Sequence, residues 1–254
     1  MPTFNRNGVQ IYYEVRGNGP AVLLTHGYAA TSQMWKGQHE PFTKDHTLVT
    51  WDMRGHGQTD SPVDESEYSA EATVDDIAAI LDELKIEHAT IGGLSLGGYM
   101  SLGFHATYPE RVDALLIIDT GPGFKNDAAR EAWNVQANGM ADTLAKDGVE
   151  VLLQRTPEMA QSKHKTTDGL ILAGRHMLTQ KDSSVIESLP HIAKPTMVIA
   201  GADDEPYLNA TAYMGKKIPN AQKVIIDNAG HAVNIDQPEA FNRHVLQFLA
   251  QQGL

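Results

Sequence analysis

The chain alternates short apolar runs with stretches of helical period. Val9 to Val15 puts Val9, Ile11, Tyr13 and Val15 at every second position, which predicts a strand with one buried face. Ala21–Thr25, Thr47–Trp51, Ala89–Ile91, Ala114–Ile118, Thr196–Ala200 and Val224–Ile226 are instead short and continuously apolar. Such runs predict strands covered on both faces, as in a parallel sheet wrapped by helices. Between them, Val74, Ile77, Leu81 and Leu84 follow i, i+3, i+7, i+10, one face of a helix, with Glu71, Asp75 and Asp76 near its N-terminal end. Asp236-Gln237-Pro238-Glu239 predicts a helix start with Asp236 as N-cap, and Phe241, Val245, Phe248 and Leu249 form the stripe that follows. Strands alternating with helices imply an α/β fold with a mostly parallel sheet. The alternation lapses from about Pro122 to Pro190, a polar, helical stretch with Trp133, Met140, Met159 and Met177 scattered through it. The expected organisation is one structural domain, a core of residues 1–121 and 191–254 carrying a small helical cap inserted at 122–190.

Composition sharpens this mainly by exclusion. A chain of 254 residues is long enough to bury roughly 70–75% of its unfolded surface without staples. The absence of cysteine excludes a disulfide framework, a cysteine-based zinc site and a cysteine nucleophile. It fits a reducing compartment, so the expected location is cytoplasmic. Twenty Lys plus Arg against thirty-two Asp plus Glu give a net charge of −12, which argues against nucleic acid and anionic membranes as partners. The longest aliphatic run, Ala114–Ile118, falls far short of the roughly 20 residues of a membrane span. The first ten residues show no basic-then-apolar signal-peptide pattern.

The chemistry concentrates at Ala89–Tyr99, where an apolar strand runs into Gly93-Leu94-Ser95-Leu96-Gly97 and a helix-compatible segment follows. This is G-x-S-x-G in the strand–turn–helix setting the motif requires. The flanking residues must be small for strand and helix to approach, and Ser95 must take a strained conformation at the apex. Its hydroxyl then stands at a helix N-terminus, where developing negative charge is favoured. A serine needs a base. Of the eleven histidines, His39, His46, His88 and His164 sit in polar, surface-like stretches and His244 lies in the last helix. His231 follows the strand Val224–Ile226 in a loop, where it could swing over the serine. The acid that orients it falls in the loop after Thr196–Ala200, where Asp203, Asp204 and Glu205 crowd together and the residues alone leave the choice open.

These segments, in this order, resemble the α/β-hydrolase superfamily across essentially the whole chain. His26-Gly27-Tyr28 resembles the family's oxyanion loop, Asp52-Met53-Arg54-Gly55-His56-Gly57 its D-x-R-G-x-G loop, and Gly93–Gly97 its nucleophile elbow. Gly201-Ala202-Asp203-Asp204 resembles the G-x-x-D acid loop, and Ala229-Gly230-His231 the histidine region. The resemblance implies Ser95 as nucleophile, His231 as base and Asp204 as acid, with backbone N–H groups of Tyr28 and Leu96 as oxyanion donors. Asp119, after Ala114–Ile118, is a rival acid; His26 is expected to shape the oxyanion loop and Arg54 to tie loops together. No metal or organic cofactor is implied.

Within the family, a serine nucleophile argues against haloalkane dehalogenases and epoxide hydrolases. Ala232 after the histidine and Leu96 after the serine count against carbon–carbon hydrolases and proline-releasing peptidases. The expected activity is a carboxylesterase acting on small or medium acyl groups through an acyl-enzyme, its partner a small-molecule ester or lactone. Enol-lactone hydrolysis is the near alternative. Perhydrolase and hydroxynitrile lyase relatives share the triad, whereas relatives that sense ligands carry a degraded or slow one.

Overall fold

The computed structural model describes residues 2–254. Its eight strands form one sheet: β1 (Thr3–Arg6), β2 (Val9–Gly17), β3 (Ala21–Thr25), β4 (Thr47–Trp51), β5 (Ala89–Leu94), β6 (Val112–Ile118), β7 (Thr196–Gly201) and β8 (Gln222–Ile226). They lie in the order β1-β2-β4-β3-β5-β6-β7-β8. The β1/β2 and β2/β4 pairs are antiparallel and the other pairs parallel. The helices are α1 (His39–Phe42), α2 (Ala70–Glu83), α3 (Leu96–Thr107), α4 (Asp127–Asp147), α5 (Pro157–Ala160), α6 (Thr167–His176), α7 (Ser184–Ser188), α8 (Glu205–Lys217), α9 (Val233–Asp236) and α10 (Pro238–Gln252).

The continuous apolar runs mark strands buried on both faces. Leu23 of β3 and Val198 of β7 point into one core with Ile77 of α2, Met100 of α3 and Met214 of α8. Their neighbours Val22, Leu24, Met197 and Ile199 point into a second core with Phe42 of α1 and Phe241, Val245 and Phe248 of α10. Successive side chains of a strand alternate faces, so a strand between two helical layers has no polar positions to spare. All of α4 to α7 falls between β6 and β7, a segment that adds no strand to the sheet.

Three local expectations are corrected. Strand β1 was not anticipated. Asn7 and Gly8 both have positive φ, 51° and 95°, and close a two-residue hairpin onto β2, the turn for which Asn-Gly is suited. Val15 does not share the buried face of Val9, Ile11 and Tyr13 but is 40% exposed, because the last three residues of β2 run past the core. Asp236 does not cap α10. It ends α9, Gln237 takes the cap position, and the Asp236 carboxylate accepts the Gly230 N–H at 2.8 Å. That bond braces the loop carrying His231.

Arg54, expected to tie loops together, ties the loop after β4 to helix α2 and to Glu67. Its guanidinium meets Asp76 of α2 with two hydrogen bonds, Nε at 2.7 Å and Nη2 at 3.0 Å, with both side chains buried. It also bonds Glu67, and Arg6 of β1 reaches the same Asp76. Removing one partner of such a pair leaves an uncompensated buried charge. Asp76→Ala is therefore expected to destabilise the fold by about 3–5 kcal/mol, read as a lower midpoint in urea unfolding.

Candidate active site

Ser95 stands at the C-terminal end of β5, where the chain turns into α3. Its backbone has φ 56° and ψ −118°, a left-handed conformation that a serine adopts only under constraint. The constraint is packing. A Cβ on Gly93 would sit 2.4 Å from the Gly97 carbonyl carbon, and one on Gly97 would sit 2.2 Å from the Thr25 carbonyl oxygen. The Ser95 N–H donates to Ile118 at 2.9 Å, and Thr120 Oγ1 donates to the Ser95 carbonyl at 2.7 Å, fixing the turn from the β6 side. In sheet order β3 lies between β4 and β5, so the chain winds away from it in both directions. That reversal opens a crevice at the C-terminal strand ends.

Loops from β3, β7 and β8 enter the crevice. After β7, Asp204 is 8% exposed; after β8, His231 is 15% exposed, and its Nδ1–H donates to Asp204 Oδ2 at 2.8 Å. Asp203 and Glu205, the competing acids of that loop, are exposed. The structure thus brings Ser95, Asp204 and His231 to one cavity, together with Tyr28 and Ala29 of the β3 loop. Among the described residues, neither the Tyr28 nor the Leu96 amide N–H finds an acceptor within the protein.

Asp119, the rival acid, lies beside this pair but does not contact the imidazole by hydrogen bond. Its Oδ1 accepts the Gly201 N–H at 2.9 Å, and its Oδ2 is buried without a partner. Burial, reinforced by the neighbouring Asp204 charge, pushes its carboxyl up to about 9, which favours its neutral form.

Tyr207 was missed. It sits three residues beyond Asp204 in the first turn of α8, and its ring stacks on His231 with centroids 4.9 Å apart and planes 33° apart. Burial and the Asp204 charge push its phenol up, keeping it neutral. One helical turn returns a side chain to the side it started from, so an aromatic three after the acid was a usable signal.

His164 was also misplaced by its polar surroundings. It is half-buried, and its ring bonds the loops after β3 and β4. His46 is buried, whereas His88 is exposed and pairs with Asp113. His26 shapes the β3 loop as expected: Nδ1–H donates to Gly27 at 2.7 Å and Nε2 accepts the Met53 N–H at 3.0 Å.

Two cavities meet at Ser95. One, about 300 Å³, is lined by apolar residues of the helical segment, including Met140, Leu144 and Met159, and contains His231. The other, about 550 Å³, passes Gly121, Phe124, Gln180 and Asn209. Trp133, Met140, Leu178 and Tyr207 line both. Trp133 is fixed by its indole N–H on the Leu178 carbonyl at 2.9 Å. Met177 instead packs in the core. Among the described residues, no helix is long and apolar enough to cross a membrane, and no group of three or more His, Asp or Glu is arranged to hold a metal ion.

The chain is similar to several known proteins. A Bacillus subtilis (strain 168) protein, whose name proposes it as a 2-succinyl-6-hydroxy-2,4-cyclohexadiene-1-carboxylate synthase, is 30% identical over 94% of this chain and 95% of its own. The 3-oxoadipate enol-lactonase 1 of Acinetobacter baylyi is 30% identical over 93% of this chain and 92% of its own. Among solved structures, a thermophilic esterase from Thermogutta terrifontis superposes with a TM-score of 0.81 at 26% identity, covering 98% of this chain and 97% of that one. Residues 20–173 match the family described as alpha/beta hydrolase fold. Sheet, elbow and relatives agree, and the chain belongs to the alpha/beta hydrolase fold family.

Proposed function

We propose that the protein is a carboxylic ester hydrolase working through an acyl-enzyme on Ser95, with lactones as the near alternative substrates. The reading rests on one observation: the Asp204–His231 pair, Ser95 and Tyr28 share a cavity, Leu96 lines the second cavity that meets it at Ser95, and the amide N–H groups of Tyr28 and Leu96 lack acceptors. Ser95 Oγ attacks the carbonyl carbon as His231 Nε2 takes its proton. Asp204 holds the Nδ1 proton and stabilises the imidazolium. The amides of Tyr28 and Leu96 receive the oxyanion, each donor of this kind contributing about 3–4 kcal/mol to the transition state. His231 then protonates the leaving alcohol, and water attacks the acyl-enzyme by the same route.

The leaving oxygen must face His231, which lines only the smaller cavity. The alcohol half therefore belongs in the apolar 300 Å³ space and the acyl half in the 550 Å³ one. We assign residues 122–190 as a cap over both, because α4 and the following segment supply Trp133, Met140, Leu152 and Met159 to the lining. The names of the Acinetobacter enol-lactonase and the Thermogutta esterase support ester and lactone chemistry.

The test is a serine-reactive organophosphonate with intact-mass readout, run beside a panel of p-nitrophenyl esters and lactones. An adduct on Ser95 with ester turnover is the expected result. No adduct on Ser95 would sink the nucleophile assignment. The Bacillus relative's name brings a second reading, a synthase, which would give the adduct with no turnover of any ester or lactone.

Tyr207 enters this mechanism through its ring, which covers the imidazole face. An aromatic pair contributes about 0.5–1.5 kcal/mol beyond its burial. Tyr207→Phe is expected to stay within about threefold of wild-type kcat and Tyr207→Leu to fall about tenfold, measured on p-nitrophenyl butyrate.

A further inference from the structure

We infer that His164, a residue of the cap, is a positioning residue that completes the oxyanion hole by holding the backbone of Ala29. The inference rests on the ester-hydrolase reading above. Ala29 directly follows Tyr28, and its φ of 56° is a left-handed conformation that a residue with a side chain holds only when its surroundings impose it. Two histidines do so. Its N–H donates to His56 Nε2 at 3.1 Å, and its carbonyl accepts from His164 Nε2 at 3.1 Å. The other side of the His164 ring, Nδ1, accepts the Gly57 N–H at 3.1 Å. One ring thus spans the loop after β3 and the loop after β4, from a position 135 residues away from Ala29.

The site needs a donor and an acceptor on one flat, neutral group, and the neutral imidazole supplies them at Nε2 and Nδ1. The neighbours keep it neutral: burial and the nearby His26 push His164 down to about 4, and burial pushes His26 to about 4 as well. The rings of His26 and His56 lie 5.0 Å apart and those of His56 and His164 5.9 Å apart. All six ring nitrogens are engaged: His26 with Gly27 and Met53, His56 with Arg54 and Ala29, His164 with Gly57 and Ala29. The cluster is therefore a scaffold and not a metal site.

A second contact points the same way. The Tyr28 hydroxyl donates to the Leu170 carbonyl of α6 at 2.9 Å, and a Cβ on Gly174 would lie 2.5 Å from that hydroxyl. The cap thus grips both residues of the oxyanion turn. A group that only fixes where an oxyanion donor points acts on the transition state more than on bound substrate.

The test uses the full-length protein, p-nitrophenyl butyrate, and butylboronic acid, which forms a tetrahedral anionic adduct on a nucleophilic serine. His164→Ala is expected to lower kcat about ten- to hundredfold, less than the about 10²–10³ that loss of a direct donor costs. KM should stay within threefold, and boronate affinity should fall in step with kcat. Lys165→Met is the control, since it removes the neighbouring cap–core ion pair to Asp60 without touching the β3 loop; its kcat should be unchanged. His164→Gln, which keeps a donor facing Ala29, should recover most of kcat. His164→Asn, which keeps only the acceptor facing Gly57, should not. If His164→Ala does not fold, the Gln and Asn variants decide: Gln above Asn supports the inference, and equality or the reverse overturns it. A kcat within twofold of wild type in His164→Ala, a change in KM alone, or an equal loss in Lys165→Met also overturns it. A wild-type protein that hydrolyses no ester and binds no boronate overturns the hydrolase reading and the inference together.

Discussion

Ser95→Ala is expected to lower kcat for ester hydrolysis about a millionfold, as removal of the nucleophile does in well-studied serine hydrolases, while leaving the protein folded. The adduct with organophosphonate should vanish with it. The fold should survive because the elbow is held by groups other than the hydroxyl. The Ser95 N–H binds Ile118, its carbonyl binds Thr120, and the flanking glycines admit the Thr25 and Gly97 backbones. Alanine keeps the same backbone strain at φ 56°, so melting temperature should not move. Ser95→Gly should behave differently. Glycine has no Cβ to oppose this conformation, so it should be as inactive as alanine yet more stable by about 1 kcal/mol. Kinetics and thermal unfolding on the same preparations check both halves. Activity lost with stability gained would identify the strain as one held for function.

The site was legible where its demands are local. Gly93 and Gly97 had to be small because a strand and a helix meet within five residues, a requirement written into adjacent positions. The continuous apolar strands marked a sheet with two covered faces for the same reason, since each residue's neighbour faces the opposite core. What escaped was decided by long-range partners. His164 has polar sequence neighbours, and nothing near it tells that its ring bridges Ala29 and Gly57. Asp236 looked like an N-cap because it stands two before a helix-starting proline, but a free N–H at Gly230 took its carboxylate. β1 is a different failure. Its four residues are too polar to read as a strand, yet Asn7-Gly8 carried the hairpin signal directly.

The choice between two carboxylates gives the second large effect. Asp204→Asn is expected to cost about 10⁴ in kcat, because an amide facing Nδ1 stabilises the wrong imidazole tautomer. Asp119→Asn should stay within about fivefold, since a neutral carboxylic acid is replaced by a neutral amide of the same shape that still accepts the Gly201 N–H. Near wild-type turnover in Asp204→Asn with collapse in Asp119→Asn would reverse the assignment of the acid. Stability provides an independent reading of the same pair. The Asp119 carboxyl is raised from 3.8 to about 9 in the folded protein by burial first and the Asp204 charge second. Between those values the folded state holds a proton that the unfolded chain has released, so this group makes the protein less stable as pH rises from about 4 toward 9. Asparagine cannot titrate and removes that slope. Urea unfolding at pH 5 and pH 8 should therefore show Asp119→Asn gaining on wild type at the higher pH. A stability difference that does not change between the two would mean that Asp119 is already ionised in the fold, and the neutral acid beside Asp204 would have to be abandoned.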